Sequence, residues 1–287
     1  MSDALEQGMS IDNQIVDPEI YADRDRYHRL FTWLRANEPV RWTEPDGFRP
    51  FWTLSRHADI SEVSRKPDIF LNAPRLTLLP TEVELKLREE VGSNNLMNTM
   101  LSTDGAEHQA LRAVGNEWLS PRGVAKLTGD IREIATHYVD LMARMGHECD
   151  FAQDVAAWFP LRVILSIFGL TPDLEPMLNR LSREFITAQD PSIDHHGPMG
   201  EHMLRVWREF GEFFSVLAED RRKNPRDDLA TAIVNARIDG EPLSERKLFS
   251  YYALVVVAGH DTTATSLAGG VAELLRHPDQ LARLKAD

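Results

Sequence analysis

Near the end of the sequence, one acid and two hydroxyls, those of Asp261, Thr262 and Thr263, interrupt a run of small apolar residues, VVVAGHDTTATSL. A carboxylate in an apolar helix is costly unless it is hydrogen-bonded, paired or protonated. A helical threonine can donate to the carbonyl four residues back, which for Thr262 is that of Ala258, and Gly259 weakens the helix further. We therefore predict a buried aspartate in a locally irregular helix, where an acid and a hydroxyl can pass a proton beside an apolar pocket.

A second pair, His108 and Arg112, has the i, i+4 spacing that places two side chains on one face of a helix. Two such donors on one face suit a carboxylate ligand.

The remaining candidates for site chemistry are one cysteine and a histidine-containing segment between two predicted helices. Cys149 lies in GHECDFAQD, between two predicted helices, without the electropositive context of a reactive thiol, so we predict a structural role for it. The segment QDPSIDHHGPMGEH, which interrupts the predicted helices, holds His195, His196 and His202. Because acidic partners at ligand spacing are lacking, we predict a loop there and no metal site.

Composition narrows the class of protein. A net charge of −13 argues against general nucleic-acid binding, and a single cysteine permits no intrachain disulfide. The first twenty residues hold no apolar segment of the kind that directs secretion, so we expect a cytoplasmic protein. The apolar stretch from Lys247 to Glu273 carries His260 and Asp261 at its centre and small polar residues after them, which favours a helix buried in protein over a membrane span.

The elements that must hold these residues are mostly helical. Near the N-terminus, DRDRYHRLFTWLRANEP predicts a helix, VRWTE and FRPFWTLS around PDG predict a hairpin, and RHADISEVSRK predicts a helix ending near Pro67. Residues 71–100 predict a long loop with one or two short helices. After it, AEHQALRAVGNEWL predicts one helix and GVAKLTGDIREIATHYVDLMARMG predicts another. Several more follow, and a long final helix runs from an N-cap at Ser244 to about Arg276. The predicted fold is mainly α with a small β-sheet near the N-terminus.

These motifs together resemble one family. AGHDTT resembles the oxygen-activating motif in the long central helix of the cytochrome P450 family, the haem-thiolate monooxygenases. HQALR resembles the His-x-x-x-Arg helix that holds haem propionate there, and the opening helix, hairpin and helix up to DIFLN also match. The resemblance covers nearly the whole chain and favours the soluble bacterial members. It implies that the Thr262 hydroxyl bonds the dioxygen being activated and that Asp261 helps to deliver protons.

The resemblance also implies a cofactor, partners and a set of contacts. Haem b, iron protoporphyrin IX, would be the cofactor, and a ferredoxin-type donor docking near the His108–Arg112 helix and Arg122 would supply electrons to a monomer. The substrate would be small and lipophilic, terpenoid-, steroid- or alkyl-like, and the segment around His195 would be the lid over its access route. The implied haem contacts are His108, Arg112, Ala258, Gly259, Thr262 and Thr263, and the implied substrate contacts are Leu96, Met100, Leu254, Val257 and Ala258.

Two features of the family have no counterpart in this sequence. The iron-ligating cysteine in a Gly-rich loop and the Glu-x-x-Arg helix before it are both missing, and Cys149 lies nowhere near such a motif. We therefore expect residues 1–287 to be the N-terminal part of a single haem monooxygenase domain, with the axial cysteine beyond Asp287 and no activity for this chain alone. Two alternatives stay open: an inactive helical remnant, and a metal-dependent phosphohydrolase that uses His260 and Asp261 as an HD dyad.

Overall fold

The computed structural model describes residues 9–146 and 148–286. The N-terminal stretch in which no secretory signal is found begins with residues 1–8, outside these ranges. The helices and strands in chain order are α1 Ile11–Val16, α2 Pro18–Ala22, α3 Arg24–Asn37, β1 Val40–Thr43, β2 Phe51–Leu54, α4 His57–Ser64, α5 Thr81–Val91, α6 Gly105–Val114, α7 Asn116–Leu119, α8 Pro121–Lys126, α9 Thr128–Met145, α10 Phe159–Ile167, α11 Glu175–Ile186, α12 Met199–Lys223, α13 Leu229–Val234, β3 Arg237–Ile238, β4 Glu241–Pro242, α14 Glu245–Arg276 and α15 Pro278–Ala286. The predicted mainly α fold with a small N-terminal sheet is confirmed.

The chain divides into two compact units. The first contains the residues up to Leu96 together with Met100–Gln109 and Thr187–Leu204, and the second contains Met97–Thr99, Ala110–Ile186 and the residues from Arg205 onward. Three residues of the loop before α6 thus belong to the second unit, while their neighbours on both sides belong to the first.

In the first unit, α3, the β1–β2 hairpin and α4 follow the predicted pattern, whereas α1 and α2 were not predicted. Ile15, Ile20, Leu30 and Leu34 form a buried cluster beneath α1, α2 and α3. Strands β1 and β2 pair antiparallel, with Val40 opposite Leu54. The long predicted loop contains one regular helix, α5, whose buried Glu84 bonds arginines from outside the helix and so fastens it.

In the second unit, α14 lies at the centre. Helices α10, α11 and α13 and a π-helical turn, Phe151–Ala156, all pack against it. Arg221 and Asp228 form a buried ion pair beside it, in which the Arg221 guanidinium also donates to the carbonyls of Phe168 and Gly169. That guanidinium is therefore fully engaged by protein groups.

Several later elements also differ from the sequence-based expectation. The helix predicted over AEHQALRAVGNEWL breaks at Gly115 into α6 and α7. The helix predicted over GVAKLTGDIREIATHYVDLMARMG is likewise two helices, α8 and α9, which meet at Leu127. The small hairpin β3–β4 was not anticipated, although Asp239 and Gly240 at its turn both have positive φ, as a tight hairpin requires.

Candidate functional site

The long helix α14 begins as the sequence predicts. The Ser244 side chain accepts a hydrogen bond from the Lys247 amide at 3.4 Å, which caps the helix, and Glu245 lies in the first turn. The helix then continues without a break to Arg276. The expected local irregularity around Gly259 is therefore wrong, and the reason is that both threonine and glycine remain compatible with helical geometry when neighbouring helices hold the backbone.

Burial along α14 changes abruptly at His260. Seven residues between Leu248 and Val256 are buried, and His260 is 2% exposed, but none of the described residues of the helix beyond it is buried. The sequence-based expectation of a helix buried throughout is wrong for this second half. No helix among the described residues combines the length and apolarity that crossing a bilayer requires.

His260 is held by two partners from different elements. Its Nε2 lies 2.7 Å from the Ala157 carbonyl and its Nδ1 lies 3.0 Å from the Ser182 hydroxyl. A carbonyl can only accept, so Nε2 carries the proton and the Ser182 hydroxyl donates to Nδ1. Burial lowers the pKa of His260, which keeps the ring neutral. The histidine therefore joins α14 to α11 and to the end of the π-helical turn.

This geometry removes the HD phosphohydrolase alternative. Both ring nitrogens of His260 are hydrogen-bonded to protein groups. The Asp261 side chain projects from α14 in a direction about 100° away from that of His260, because consecutive helical residues are rotated by that angle. In residues 9–146 and 148–286, no three His, Cys, Asp or Glu side chains group closely enough to hold a metal ion.

The residues next to His260 are more open than predicted. Asp261 is partly exposed, and Thr262 and Thr263 are exposed, so the expectation of a buried carboxylate is wrong. The described elements that pack on α14 cover its other side, where His260 lies. The Thr262 hydroxyl donates to the Ala258 carbonyl at 2.6 Å, as predicted.

One face of α14 carries small side chains over three turns. Ala258, Thr262 and Ser266 follow one another at four-residue spacing and are all exposed, and the exposed Gly269 and Gly270 continue beyond them. The Ser266 hydroxyl donates back to the Thr262 carbonyl at 2.7 Å, so both hydroxyls on this face lie close to the helix. We call these five residues the small-residue face. A flat ring system could approach the helix closely here, so the face fits a porphyrin.

Gly259 lies beside this face but has a packing contact of its own. A Cβ built on Gly259 would lie 3.2 Å from the Ile164 Cδ1 of α10. A glycine here allows α10 and α14 to approach closely, and the predicted haem contact of Gly259 stays a prediction.

The second predicted pair lies on α6. His108 is half-buried, and its Nδ1 lies 2.8 Å from the Met100 carbonyl, to which it donates. This bond leaves Nε2 available to a ligand. Arg112, one turn later, is exposed. An exposed guanidinium and a half-buried imidazole on one helix fit the donor set that a propionate needs.

Two contacts that the sequence did not indicate join other segments to the first half of α14. The Ser250 hydroxyl, which is fully buried, accepts a hydrogen bond from the Asn98 amide at 2.8 Å. Tyr251 lies against Gly115, where a Cβ would be 2.6 Å from the tyrosine hydroxyl oxygen. The first contact joins residues 152 positions apart, so no local pattern could have revealed it.

The predicted substrate contacts divide between the two units. Leu254 is buried on α14, Val257 is half-buried, and Ala258 is exposed on the small-residue face. Leu96 is buried and Met100 half-buried in the first unit.

Comparison with known proteins gives an independent test of the resemblance. The model of the cytochrome P450 family matches residues 166–287. The crystal structure of CYP108D1 from Novosphingobium aromaticivorans superposes with a TM-score of 0.85 at 35% identity, over 96% of this chain and 66% of that one. The chain belongs to the cytochrome P450 family.

Two curated relatives add to this assignment. Cytochrome P450-terp from a Pseudomonas species is 29% identical over 95% of this chain and 66% of its own length. The methyl-branched lipid omega-hydroxylase of Mycobacterium tuberculosis is 30% identical over 92% of this chain and 61% of its own length. The chain thus spans a little under two thirds of these P450 relatives. Family membership implies a haem cofactor, in agreement with the small-residue face and with the donors on α6.

Proposed function

We propose that the chain forms part of a P450 monooxygenase that hydroxylates a small lipophilic substrate, and that the small-residue face of α14 lies against the haem. The observation that carries this proposal is the exposed row of Ala258, Thr262 and Ser266. Side chains on the opposite side of the same helix, His260 above all, fix the helix to its neighbours. Haem, when bound, would supply the centre at which dioxygen, two electrons and two protons yield one inserted oxygen atom and one water.

In this proposal, His108 and Arg112 hold the propionates. Nδ1 of His108 already donates to the Met100 carbonyl. Only the doubly protonated imidazolium donates from both nitrogens, so a propionate bonded to Nε2 would be bound by charge as well as by a hydrogen bond. Arg112 adds a second, permanent charge.

Asp261 and Thr262 would move protons to the oxygen. The partial exposure of Asp261 lets it exchange protons with water, which a buried carboxylate could not do readily. The Thr262 hydroxyl donates to the Ala258 carbonyl, and a rotation about the Cα–Cβ bond would turn it outward as a donor. Thr263, next along the helix, would lie at the edge of the cofactor.

The substrate would meet the apolar residues of α14 and of the loop before α6: Leu96, Met100, Leu254, Val257 and Ala258. The relative named for methyl-branched lipid hydroxylation supports a lipophilic substrate, and terpenoid-, steroid- and alkyl-like molecules all fit that class.

We propose a ferredoxin-type electron donor, which would use the exposed positive charges of Arg112 and Arg122. Four properties stay predictions: the cytoplasmic location, the monomeric state, the single domain over residues 1–287, and an axial cysteine other than Cys149.

The ratio of product to hydrogen peroxide tests the roles of the two α14 residues. With the whole haem-loaded monooxygenase of which this chain is proposed to form part, and with a saturating lipophilic substrate, Thr262→Ala should lower product per electron by about 10-fold and raise peroxide, because one positioned proton donor is typically worth 10²–10⁴-fold and water can replace part of it. Thr262→Ser keeps the hydroxyl and should retain most of the product. Equal product yields from Thr262→Ala and the wild type would contradict the proposal.

A further inference from the structure

The loop between α5 and α6 is fastened at several points. The Asn95 side chain accepts from the Leu76 amide at 3.0 Å and donates to the Pro74 carbonyl at 3.0 Å, all within the first unit. Three residues later, the Asn98 amide donates to Ser250 of α14, within the second unit. Between and beside these points, Leu96, Met97 and Thr99 are buried.

Ser250 has no exposed surface and makes its bond to a backbone amide, so the contact fixes the chain path and does not depend on the side chain of residue 98. It lies one turn before Leu254 and two turns before Ala258 on the same helix, in the direction of the small-residue face. The bond therefore fixes the loop relative to α14, the helix that carries the proposed catalytic pair Asp261 and Thr262.

We propose that Ser250 is a positioning residue for substrate recognition: its hydroxyl holds the Asn98 amide and so sets where Leu96 and Met100 meet the substrate. This inference rests on the proposed function, in which these two residues contact the substrate. The role is one of placement, since Ser250 itself touches neither substrate nor haem in this proposal.

The test compares Ser250→Ala with Tyr252→Phe. The control removes a buried hydroxyl from the same helix, one that donates to the Ala230 carbonyl at 2.8 Å, and leaves the loop untouched. Hydrogen–deuterium exchange of the peptide containing Asn98 should speed up about 5-fold in Ser250→Ala, as the loss of one net hydrogen bond implies, and should not change in Tyr252→Phe.

The functional half of the test uses the haem-loaded protein and a panel of terpenoids, steroids and fatty acids that shift the haem absorption spectrum. Ser250→Ala should weaken binding of the best ligand about 5-fold and broaden the set of hydroxylated positions, with haem content unchanged. Tyr252→Phe should match the wild type in both readouts.

The outcomes separate the two proposals. Faster exchange at Asn98 with unchanged ligand affinity and unchanged product positions would overturn the positioning role and leave the proposed function standing. A wild-type protein whose haem spectrum responds to no lipophilic ligand would overturn the proposed function, and the positioning role with it. Unchanged exchange in Ser250→Ala would show that the bond does not hold the loop.

Discussion

Replacing His260 with alanine should destabilise the folded chain far more than any change at the neighbouring Asp261. The substitution removes the bonds to Ala157 and Ser182 and leaves a carbonyl and a hydroxyl without their partner. Ser182 has no exposed surface, so water cannot readily replace the lost ring there.

The magnitude follows from these two bonds. A buried polar group that loses its partner costs about 1–3 kcal/mol, and the two groups together with the lost ring packing give about 3–5 kcal/mol. Asp261 is partly exposed, and Asp261→Asn should therefore change the free energy of unfolding by less than about 0.5 kcal/mol.

Urea unfolding followed by circular dichroism measures both variants of the chain. The midpoint for His260→Ala should fall steeply at an unchanged slope, and that for Asp261→Asn should coincide with the wild type. A loss below about 1 kcal/mol for His260→Ala would refute the reasoning, because it would mean that the histidine does not join α14 to α11 and the π-helical turn.

Three further predictions concern the same helix and its surroundings. Since burial lowers the pKa of His260 below its ordinary value of 6.5, the unfolded chain takes up the proton first; stability should fall as pH drops below about 6.5, and His260→Gln should lose that part of the pH dependence in urea titrations. Asp228→Asn leaves the buried Arg221 with only the partly exposed Asp220 as its counter-charge and should cost about 3 kcal/mol by urea unfolding, the lower end for a broken buried pair, against no change for the exposed Val216→Ala. Gly115→Ala should lower the thermal midpoint because its Cβ meets the Tyr251 hydroxyl, and adding Tyr251→Phe should restore most of the loss; a Gly115→Ala midpoint equal to that of the wild type would contradict the contact.

The sequence carried enough information for the elements with strong local signals. Ser244 is a favourable N-cap residue before a long run of apolar residues at helical spacing, and α14 begins and ends where this pattern predicts. The geometry of a helical threonine also predicted correctly the bond from the Thr262 hydroxyl to the Ala258 carbonyl. The missed hairpin at Asp239 and Gly240 had a local signal in its Asp-Gly pair, which was available and was not used.

Burial and long-range contacts could not be predicted from local sequence signals. His260 occupies a position that the motif leaves open to any residue, yet it is the buried one, while Asp261 faces outward. Which of two adjacent helical residues is covered depends on where α10 and α11 pack, and periodicity within α14 does not contain that information. A side chain at position 115 is likewise disfavoured by the close approach of Tyr251, a residue far along the chain.

The most direct test of the central claim is a haem titration, followed by absorbance, of the whole monooxygenase of which this chain is proposed to form part, in the wild type, Ser266→Phe and Val139→Phe. Ser266 lies in the middle of the small-residue face, whereas Val139 is exposed on α9 and serves as a control of equal bulk. We predict one haem per chain for the wild type and for Val139→Phe, and no stoichiometric binding for Ser266→Phe with an unchanged circular dichroism spectrum. Equal haem binding by Ser266→Phe would contradict the claim that this face of α14 lies against the cofactor.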